Sequence, residues 1–204
     1  MANYHDLSEF QLSVLSEIGN IGAGNAATSL ASILADKVSM TVPKLQIIDV
    51  NSMASILGGP ENELAGILVN MTGDIKGLLL FLLDKEFVCK LIGVLLEKDI
   101  RGFENITDLD MSAIMEIGNI MAGSYVSAIS MLTSLNIGLS TPQLAIDMVG
   151  AILSYPAAAF GMMGEKLLFI EENFVSGEDS ITSHLLIMPE PSSLQLIMES
   201  LEVC

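Results

Sequence analysis

Two segments of the chain place a glutamate and an asparagine three residues apart, Glu17 with Asn20 and Glu116 with Asn119. An asparagine amide cannot act as a general base, but it can accept a hydrogen bond from a water molecule and donate one to it. Such an amide holds the water in line for attack on a phosphoryl group. Because phosphoryl transfer depends mainly on positioning and electrostatics, the two pairs are candidate catalytic groups for phosphoryl hydrolysis.

Each pair belongs to a stripe along a predicted helix. At about 100° per residue, Ser13, Glu17, Asn20 and Gly24 fall within about 60° of one another. An ordinary surface helix also shows a polar stripe opposite an apolar face, so a purely structural role is the alternative. A functional role is favoured because asparagine and glycine are poor helix formers that recur mid-helix at matching positions. The glycines leave room for close approach of another molecule. The second stripe consists of Ser112, Glu116, Asn119 and Gly123.

Other kinds of catalytic site do not fit the sequence. The two histidines, His5 and His184, lie outside the motifs and are predicted to be an exposed terminal residue and a strand residue. One glutamate per helix is too few for a metal site, so we expect this chain to bind no metal or cofactor of its own. Neither motif helix contains a lysine or arginine, and no glycine-rich phosphate loop followed by a lysine occurs. A phosphoryl substrate must therefore bring its own cation.

The charge and cysteine content narrow the class of protein. The 204 residues carry 25 acidic and 8 basic side chains, a formal net charge of −17, which disfavours nucleic acid and anionic membranes as partners. The cysteines, Cys89 and Cys204, form no metal or disulfide pattern, and we predict that Cys89 is a core residue. The N-terminus has no signal-peptide pattern, and no apolar run approaches the roughly 20 residues of a membrane span. We expect a cytoplasmic protein.

An internal repeat organises the whole chain. A shift of 99 positions superimposes SVLSEIGNIGAG, from Ser13, on SAIMEIGNIMAG, from Ser112, and it also pairs Pro43 with Pro142. The later parts of the two halves match with a different shift, which predicts insertions between about 171 and 180. The repeats span roughly residues 8–100 and 107–204, and without a linker between them we expect a single domain over residues 1–204.

Each repeat is predicted as a long helix, a strand, a short helical stretch, two antiparallel strands and a closing helix. The expected fold is α/β (α+β), with a mostly antiparallel sheet shared by two halves that are related by a pseudo-twofold axis. Ser8 and Thr107 are predicted to cap the two motif-bearing helices, with Glu9 and Asp108 in their first turns. The buried face of the first helix is predicted to consist of Val14, Leu15, Ile18, Ile21 and Ile33.

The doubled motif resembles that of the CheC/CheX/FliY family of chemotaxis phosphatases, which has the pattern [DS]-x-x-x-E-x-x-N. Both SVLSEIGN and SAIMEIGN fit it, and the resemblance extends over essentially the whole chain. It implies hydrolysis of the aspartyl phosphate of the response regulator CheY, whose receiver domain supplies a lysine and Mg²⁺. It further implies that Glu17 and Glu116 contact that lysine, while Asn20 and Asn119 orient the attacking water. Two intact motifs in one chain are typical of the CheC branch.

The resemblance also implies a second partner, the deamidase CheD, which stimulates CheC proteins. The matching surface would be the helical segment at about 147–163, with Asp147 as a candidate contact. A helix N-terminal acid is an equal alternative for that residue. Pro156 and Gly161 predict that this helix is short or kinked. Alternative functions are a module that binds phosphorylated CheY or CheD with little hydrolysis, and a flagellar-switch subunit similar to FliY.

Overall fold

A computed structural model describes residues 7–34, 38–40, 44–49, 52–160, 166–176 and 179–201. The two halves of the chain contain the same elements in the same order, which confirms the predicted pseudo-twofold repeat. The first half comprises α1 (Glu9–Leu34), β1 (Val38–Met40), β2 (Lys44–Asp49), α2 (Met53–Ile56), β3 (Glu63–Gly73), β4 (Gly77–Leu83) and α3 (Lys85–Leu96). The second comprises α4 (Asp108–Thr133), β5 (Ile137–Leu139), β6 (Gln143–Met148), α5 (Val149–Phe160), β7 (Lys166–Ser176), β8 (Asp179–Pro189) and α6 (Pro191–Ser200).

The eight strands of the described residues form one antiparallel sheet, which confirms the prediction that the two halves share a sheet. Its centre is the pair β4 and β8, one strand from each half, with Leu80 opposite Leu186. Outside them lie the hairpin partners β3 and β7. At each edge the halves exchange strands, because β1 and β2 pair with β7 while β5 and β6 pair with β3. The two halves are therefore interleaved along the sheet.

Two layers of helices cover the sheet. The larger core lies between one face of the sheet and α1, α3, α4 and α6, and a smaller core lies on the opposite face, under α5 and α2. Strand β4 is buried on both faces, which explains its unbroken apolar sequence GLLLFLL. Leu79 and Phe81 point into the larger core, and Leu78 and Leu80 point into the smaller one.

The predicted buried face of α1 is confirmed at two of its five positions, is partly buried at two more and is wrong at the last. Leu15 and Ile18 are buried, Val14 and Ile21 are partly buried, and Ile33 is exposed. Ile33 lies in the last turn of the helix, three residues past the buried Leu30.

Most of the additional residues of the second half lie outside the range predicted for them. Paired positions of β2 and β6, Asp49 and Met148, are 99 residues apart, whereas those of β3 and β7, Glu63 and Lys166, are 103 apart. Four residues are thus inserted between β6 and β7, in the segment that contains α5. This insertion accompanies the growth of a four-residue helix, α2, into the twelve-residue α5.

Candidate functional site

The two motif helices begin at the predicted caps. The backbone N–H of Gln11 donates to Ser8 Oγ at 3.2 Å, and the backbone N–H of Ser8 donates to Gln11 Oε1 at 2.9 Å. This reciprocal arrangement satisfies two of the backbone donors that a helix start leaves without partners. The first turn of α1 is thereby fixed about two to three turns before the catalytic candidates.

The start of α4 is held more strongly than that of α1. Thr107 and Asp110 form a capping box, in which Asp110 accepts the backbone N–H of Thr107 at 2.9 Å. The ammonium of Lys98 lies 2.7 Å from Asp110 Oδ1. The hydrogen bond from Lys98, followed by those from Thr107, lowers the pKa of Asp110 to about 2. The carboxylate is therefore ionised wherever the protein functions near neutral pH.

All four residues of each predicted stripe reach the surface. Glu17, Glu116 and Asn119 are exposed, and Asn20 is partly buried. Within the described part of the chain, no hydrogen bond or ion pair engages the side chains of the two glutamates and the two asparagines. Their carboxylates and amides are therefore available to a partner molecule.

The glycines of the motifs divide into two kinds. A Cβ added at Gly24 or Gly123 would meet no atom within 4 Å, as the prediction of an open approach requires. A Cβ at Gly22 would lie 2.5 Å from the Tyr125 ring, and one at Gly118 would lie 2.5 Å from Ile67 Cγ2. Glycine at 22 and 118 is therefore a packing requirement. It allows α1 to approach α4 closely and α4 to approach the sheet.

The hydroxyls of Ser13 and Ser112 are used within their own helices. Ser13 Oγ donates to the carbonyl of Phe10 at 2.7 Å, and Ser112 Oγ donates to the carbonyl of Asp108 at 2.9 Å. Both residues lie on the exposed stripe, where the sequence placed them. Their hydroxyl protons are directed to the helix backbone, so their supporting role in the motif stays a prediction.

A groove beside the second motif includes residues that the sequence analysis did not identify. It has a volume of about 430 Å³. One wall is α4, and the other is the loop between β5 and β6. The backbone N–H of Ser140 donates to the carbonyl of Asn70 at 2.9 Å, which ties this loop to β3. The only signal in the sequence was the recurring proline, Pro142. The groove is lined by Ser112, Met115, Glu116, Asn119, Leu139, Ser140, Thr141 and Pro142.

A buried polar cluster lies beneath the two motif helices and was not predicted. The Tyr125 hydroxyl donates to Glu172 Oε1, and Ser183 Oγ donates to Glu172 Oε2 at 2.9 Å. Burial raises the pKa of Glu172 to about 7, although both hydrogen bonds act in the opposite direction. Burial and the neighbouring carboxylate raise the pKa of Tyr125 well above 10. The corresponding residues of the first half are apolar and buried: Ala26, Val69 and Leu79.

Asp147 lies on a strand, which corrects the prediction of a helical segment beginning there. It is the fifth residue of β6, exposed and opposite Leu64, and α5 begins two residues later at Val149. Its carboxylate accepts the backbone N–H of Met148 at 2.7 Å, a contact at the strand end and not at a helix cap. Pro156 lies inside α5, which continues four residues beyond it.

The histidines and cysteines stand apart from the motifs. His184 is on strand β8, as predicted, stacked on Phe169 with ring centroids 5.3 Å apart, and burial lowers its pKa. Cys89 is only partly buried, and burial raises the pKa of its thiol. His5 and Cys204 fall outside the described residues.

Among the residues that the structure describes, no cluster of three or more His, Cys, Asp or Glu side chains could hold a metal ion, and no helix is long and apolar enough to cross a membrane.

Comparison with known proteins identifies the family of this chain. The sequence model of the CheC-like family matches residues 10–47 and 109–146, one segment in each repeat. The chain is 30% identical over 209 residues to the CheY-P phosphatase CheC of Bacillus subtilis, with 98% of each chain covered. It is also 30% identical over 142 residues to the flagellar motor switch phosphatase FliY of the same organism, covering 69% of this chain and 37% of that one.

The fold is shared with a solved structure as well. The crystal structure of Thermotoga maritima FliY matches with a TM-score of 0.77 at 22% identity, covering 97% of this chain and 98% of that chain. At this identity the likeness concerns the fold alone. Together with the full-length match to the Bacillus protein, these findings show that the chain belongs to the CheC-like family.

Proposed function

We propose that this protein is an enzyme that hydrolyses the aspartyl phosphate of a CheY-type response regulator. The observation that carries the proposal is the pair of Glu-x-x-Asn stripes, which lie at matching positions on two packed helices with their polar groups available. The family relationship supports it, since the Bacillus subtilis relative is named for this activity and is similar over nearly its full length.

In the proposed reaction each asparagine orients one water molecule. The amides of Asn20 and Asn119 accept from and donate to that water, so that its oxygen faces the phosphorus in line with the bond to be broken. The water oxygen bonds to phosphorus while the bond from phosphorus to the aspartate oxygen breaks. Both hydrogens of the water leave with the inorganic phosphate, a free aspartate carboxylate remains on the regulator, and no covalent enzyme intermediate forms.

The glutamates have a separate role in binding. Glu17 and Glu116 are placed one turn before the asparagines, where they can pair with a lysine of the regulator. The motif helices α1 and α4 contain no lysine or arginine to neutralise a phosphoryl group. The cationic groups, a lysine and Mg²⁺, therefore come with the substrate domain. A net charge of −17 suits a partner that exposes positive charge.

A second partner, CheD, is proposed for the opposite side of the sheet. The end of β6 and the helix α5 expose the carboxylate of Asp147 and two large apolar side chains, Met148 and Tyr155. This segment has no equal in the first half, where α2 is only four residues long. An acidic group beside apolar side chains suits a protein partner, and CheD binding here would stimulate turnover.

A binding role with little hydrolysis is the second candidate. The observation behind it is the similarity to FliY, whose name places that protein in the flagellar motor switch, although the same name also calls it a phosphatase. In this case the stripes would dock the phosphorylated regulator or a switch component without accelerating loss of phosphate.

The loss of ³²P-phosphate from labelled CheY in Mg²⁺ tests the proposal, with and without CheD. The wild type is compared with Asn20→Ala, Asn119→Ala and the double variant. Asn25→Ala is the matched control, since Asn25 is exposed on α1 but lies about 140° around the helix from Asn20. We expect the double variant to lose about 100-fold in rate, as misplacement of a reacting group does, and the control to keep its rate.

Binding separates the two candidates. If the double variant still binds a beryllofluoride-activated regulator but no longer hydrolyses the phosphate, the asparagines act in the chemical step. A wild type that leaves the decay unchanged even with CheD present would overturn the enzymatic proposal. The binding role would then account for the stripes.

A further inference from the structure

Each motif helix exposes a large apolar side chain in its first turn. Phe10 is 65% exposed and Leu109 is 60% exposed, and the two positions correspond in the repeat. Both are the second residue of their helix. A side chain of this size is unfavourable in water, and here it occurs twice at the same place.

Exposure alone does not identify a site, because isolated apolar side chains are common on protein surfaces. Ile33 and Leu132 also correspond in the repeat, and each is 37% exposed. They lie near the ends of α1 and α4, about 160° around the helix from Glu17 and Glu116. The first-turn pair differs from them in being far more exposed and in its position relative to the motifs.

Phe10 and Leu109 lie on the stripes themselves. At about 100° per residue each is within about 20° of the motif glutamate seven positions later. At about 1.5 Å per residue the distance along the helix axis is about 10 Å from Phe10 to Glu17 and about 15 Å from Phe10 to Asn20. The same spacings hold for the second helix.

A globular partner that reaches the asparagine must also cover the first turn. A stable protein interface covers about 800 Å² on each partner, which corresponds to a radius of about 16 Å. A receiver domain centred on the glutamate and asparagine therefore extends over Phe10 or Leu109. The two side chains would lie about 10 to 15 Å from that centre, towards the edge of the covered area, where burial of an apolar side chain still favours binding.

We infer that Phe10 and Leu109 are docking residues, each contacting an apolar patch that lies beside the acyl phosphate on the response regulator. This inference rests on the proposed function. A second copy of this chain is a poor occupant, because it would bring another −17 charge against an acidic stripe and block the glutamates. A regulator with its own lysine and an adjacent apolar surface satisfies both kinds of group on the stripe.

Docking and water orientation should separate kinetically. A residue that contributes equally to substrate and transition-state binding changes KM and leaves kcat unaltered, whereas loss of the asparagine lowers kcat. We therefore expect Phe10→Ser to raise KM about 10-fold at the first site, and Leu109→Ser to do the same at the second.

The experiment measures each site alone. Phe10→Ser is made in an Asn119→Ala parent, with Ile33→Ser as control, and Leu109→Ser is made in an Asn20→Ala parent. Met131→Ser is the control for α4, since Met131 is 65% exposed but lies about 22 Å along the helix from Glu116. Steady-state hydrolysis of phosphorylated regulator gives KM and kcat. Thermal melting verifies that every variant is folded.

A binding measurement keeps the inference testable apart from catalysis. The affinity of the Asn20→Ala/Asn119→Ala protein for a beryllofluoride-activated regulator is compared with and without the additional Phe10→Ser and Leu109→Ser changes. Weaker binding together with raised KM at unchanged kcat supports docking. If neither Phe10→Ser nor Leu109→Ser changes the KM or the affinity of its parent protein, the docking inference is overturned. If the wild type and both single-asparagine parents, Asn119→Ala and Asn20→Ala, bind the regulator without hydrolysing its phosphate, the proposed function is contradicted. In that case the affinity alone decides the docking role.

Discussion

Glu172, in the buried cluster beneath the motif helices, should make the stability of the protein depend on pH near neutrality. Its carboxyl group is completely buried and is held by the hydroxyls of Tyr125 and Ser183. Burial raises its pKa from 4.5 to about 7. The substitution Glu172→Gln keeps the shape and an oxygen that accepts from Tyr125, while its amide can donate to the Ser183 hydroxyl and cannot ionise.

The direction in which stability changes with pH follows from the raised pKa of Glu172. Below pH 4.5 Glu172 is protonated in both the folded and the unfolded chain, so the folded state carries no penalty. As the pH rises towards 7, the unfolded chain ionises first, and this ionisation lowers its free energy. The free energy of unfolding of the protein therefore falls. A change from 4.5 to about 7 corresponds to about 3 kcal/mol in full, most of which falls between pH 5 and pH 8.

Urea unfolding followed by far-ultraviolet circular dichroism at several pH values from 5 to 8 measures this effect. The free energy of unfolding of the wild type should fall relative to that of Glu172→Gln by roughly 2 to 3 kcal/mol over this range. Titration of all other groups cancels in the difference. Glu171→Gln is the control, since neighbouring residues on a strand point to opposite faces of the sheet. A difference between wild type and Glu172→Gln that stays constant with pH would refute the reasoning.

Two further predictions concern the motif helices. Gly24→Ala and Gly123→Ala fill open space, so each should raise the free energy of unfolding by about 1 kcal/mol in urea titrations. The same changes should slow dephosphorylation, and unchanged turnover would contradict the idea that the glycines admit a partner closely. Asp110→Asn removes a carboxylate whose pKa is lowered to about 2 by Lys98 and Thr107, so its stabilisation is present above about pH 4 and lost towards pH 2. The melting temperature of the variant should lie below that of the wild type at pH 7 and approach it at pH 3; a constant gap would contradict this.

The sequence predicted those features that depend on local chemistry. Helix starts at Ser8 and Thr107 follow from side chains that accept a backbone N–H, whatever the rest of the fold does. The exposed stripes follow from the period of the helix, and the antiparallel hairpins follow from turn residues between apolar runs. The repeat then required that each feature of one half recur in the other, which is why the pseudo-twofold fold could be predicted from one chain.

The features that were missed depend on which segments meet in space. Alternation along β4 determines which side chains share a face, but it does not determine that the strand pairs with β8 of the other half. Likewise, Glu172 follows a buried strand segment in the sequence without any sign that Tyr125, 47 residues earlier, donates to it. The position of the insertion was wrong for a related reason, since apolar residues of a strand and of a short helix such as α5 are similar in composition.

The exchange of strands at the sheet edges has a consequence for the candidate site itself. The loop that forms one wall of the groove beside Glu116 and Asn119 follows β5, and both β5 and β6 pair with β3 of the first half. Ser140 in that loop is fixed twice to Asn70, through its backbone N–H at 2.9 Å and through its hydroxyl, which accepts the N–H of Asn70 at 3.0 Å. The motif helix comes from one half, and the support for the opposite wall comes from the other. Since neither half contains both parts, the second site exists only when the two repeats fold together, and a duplicated chain holds it without needing a second molecule.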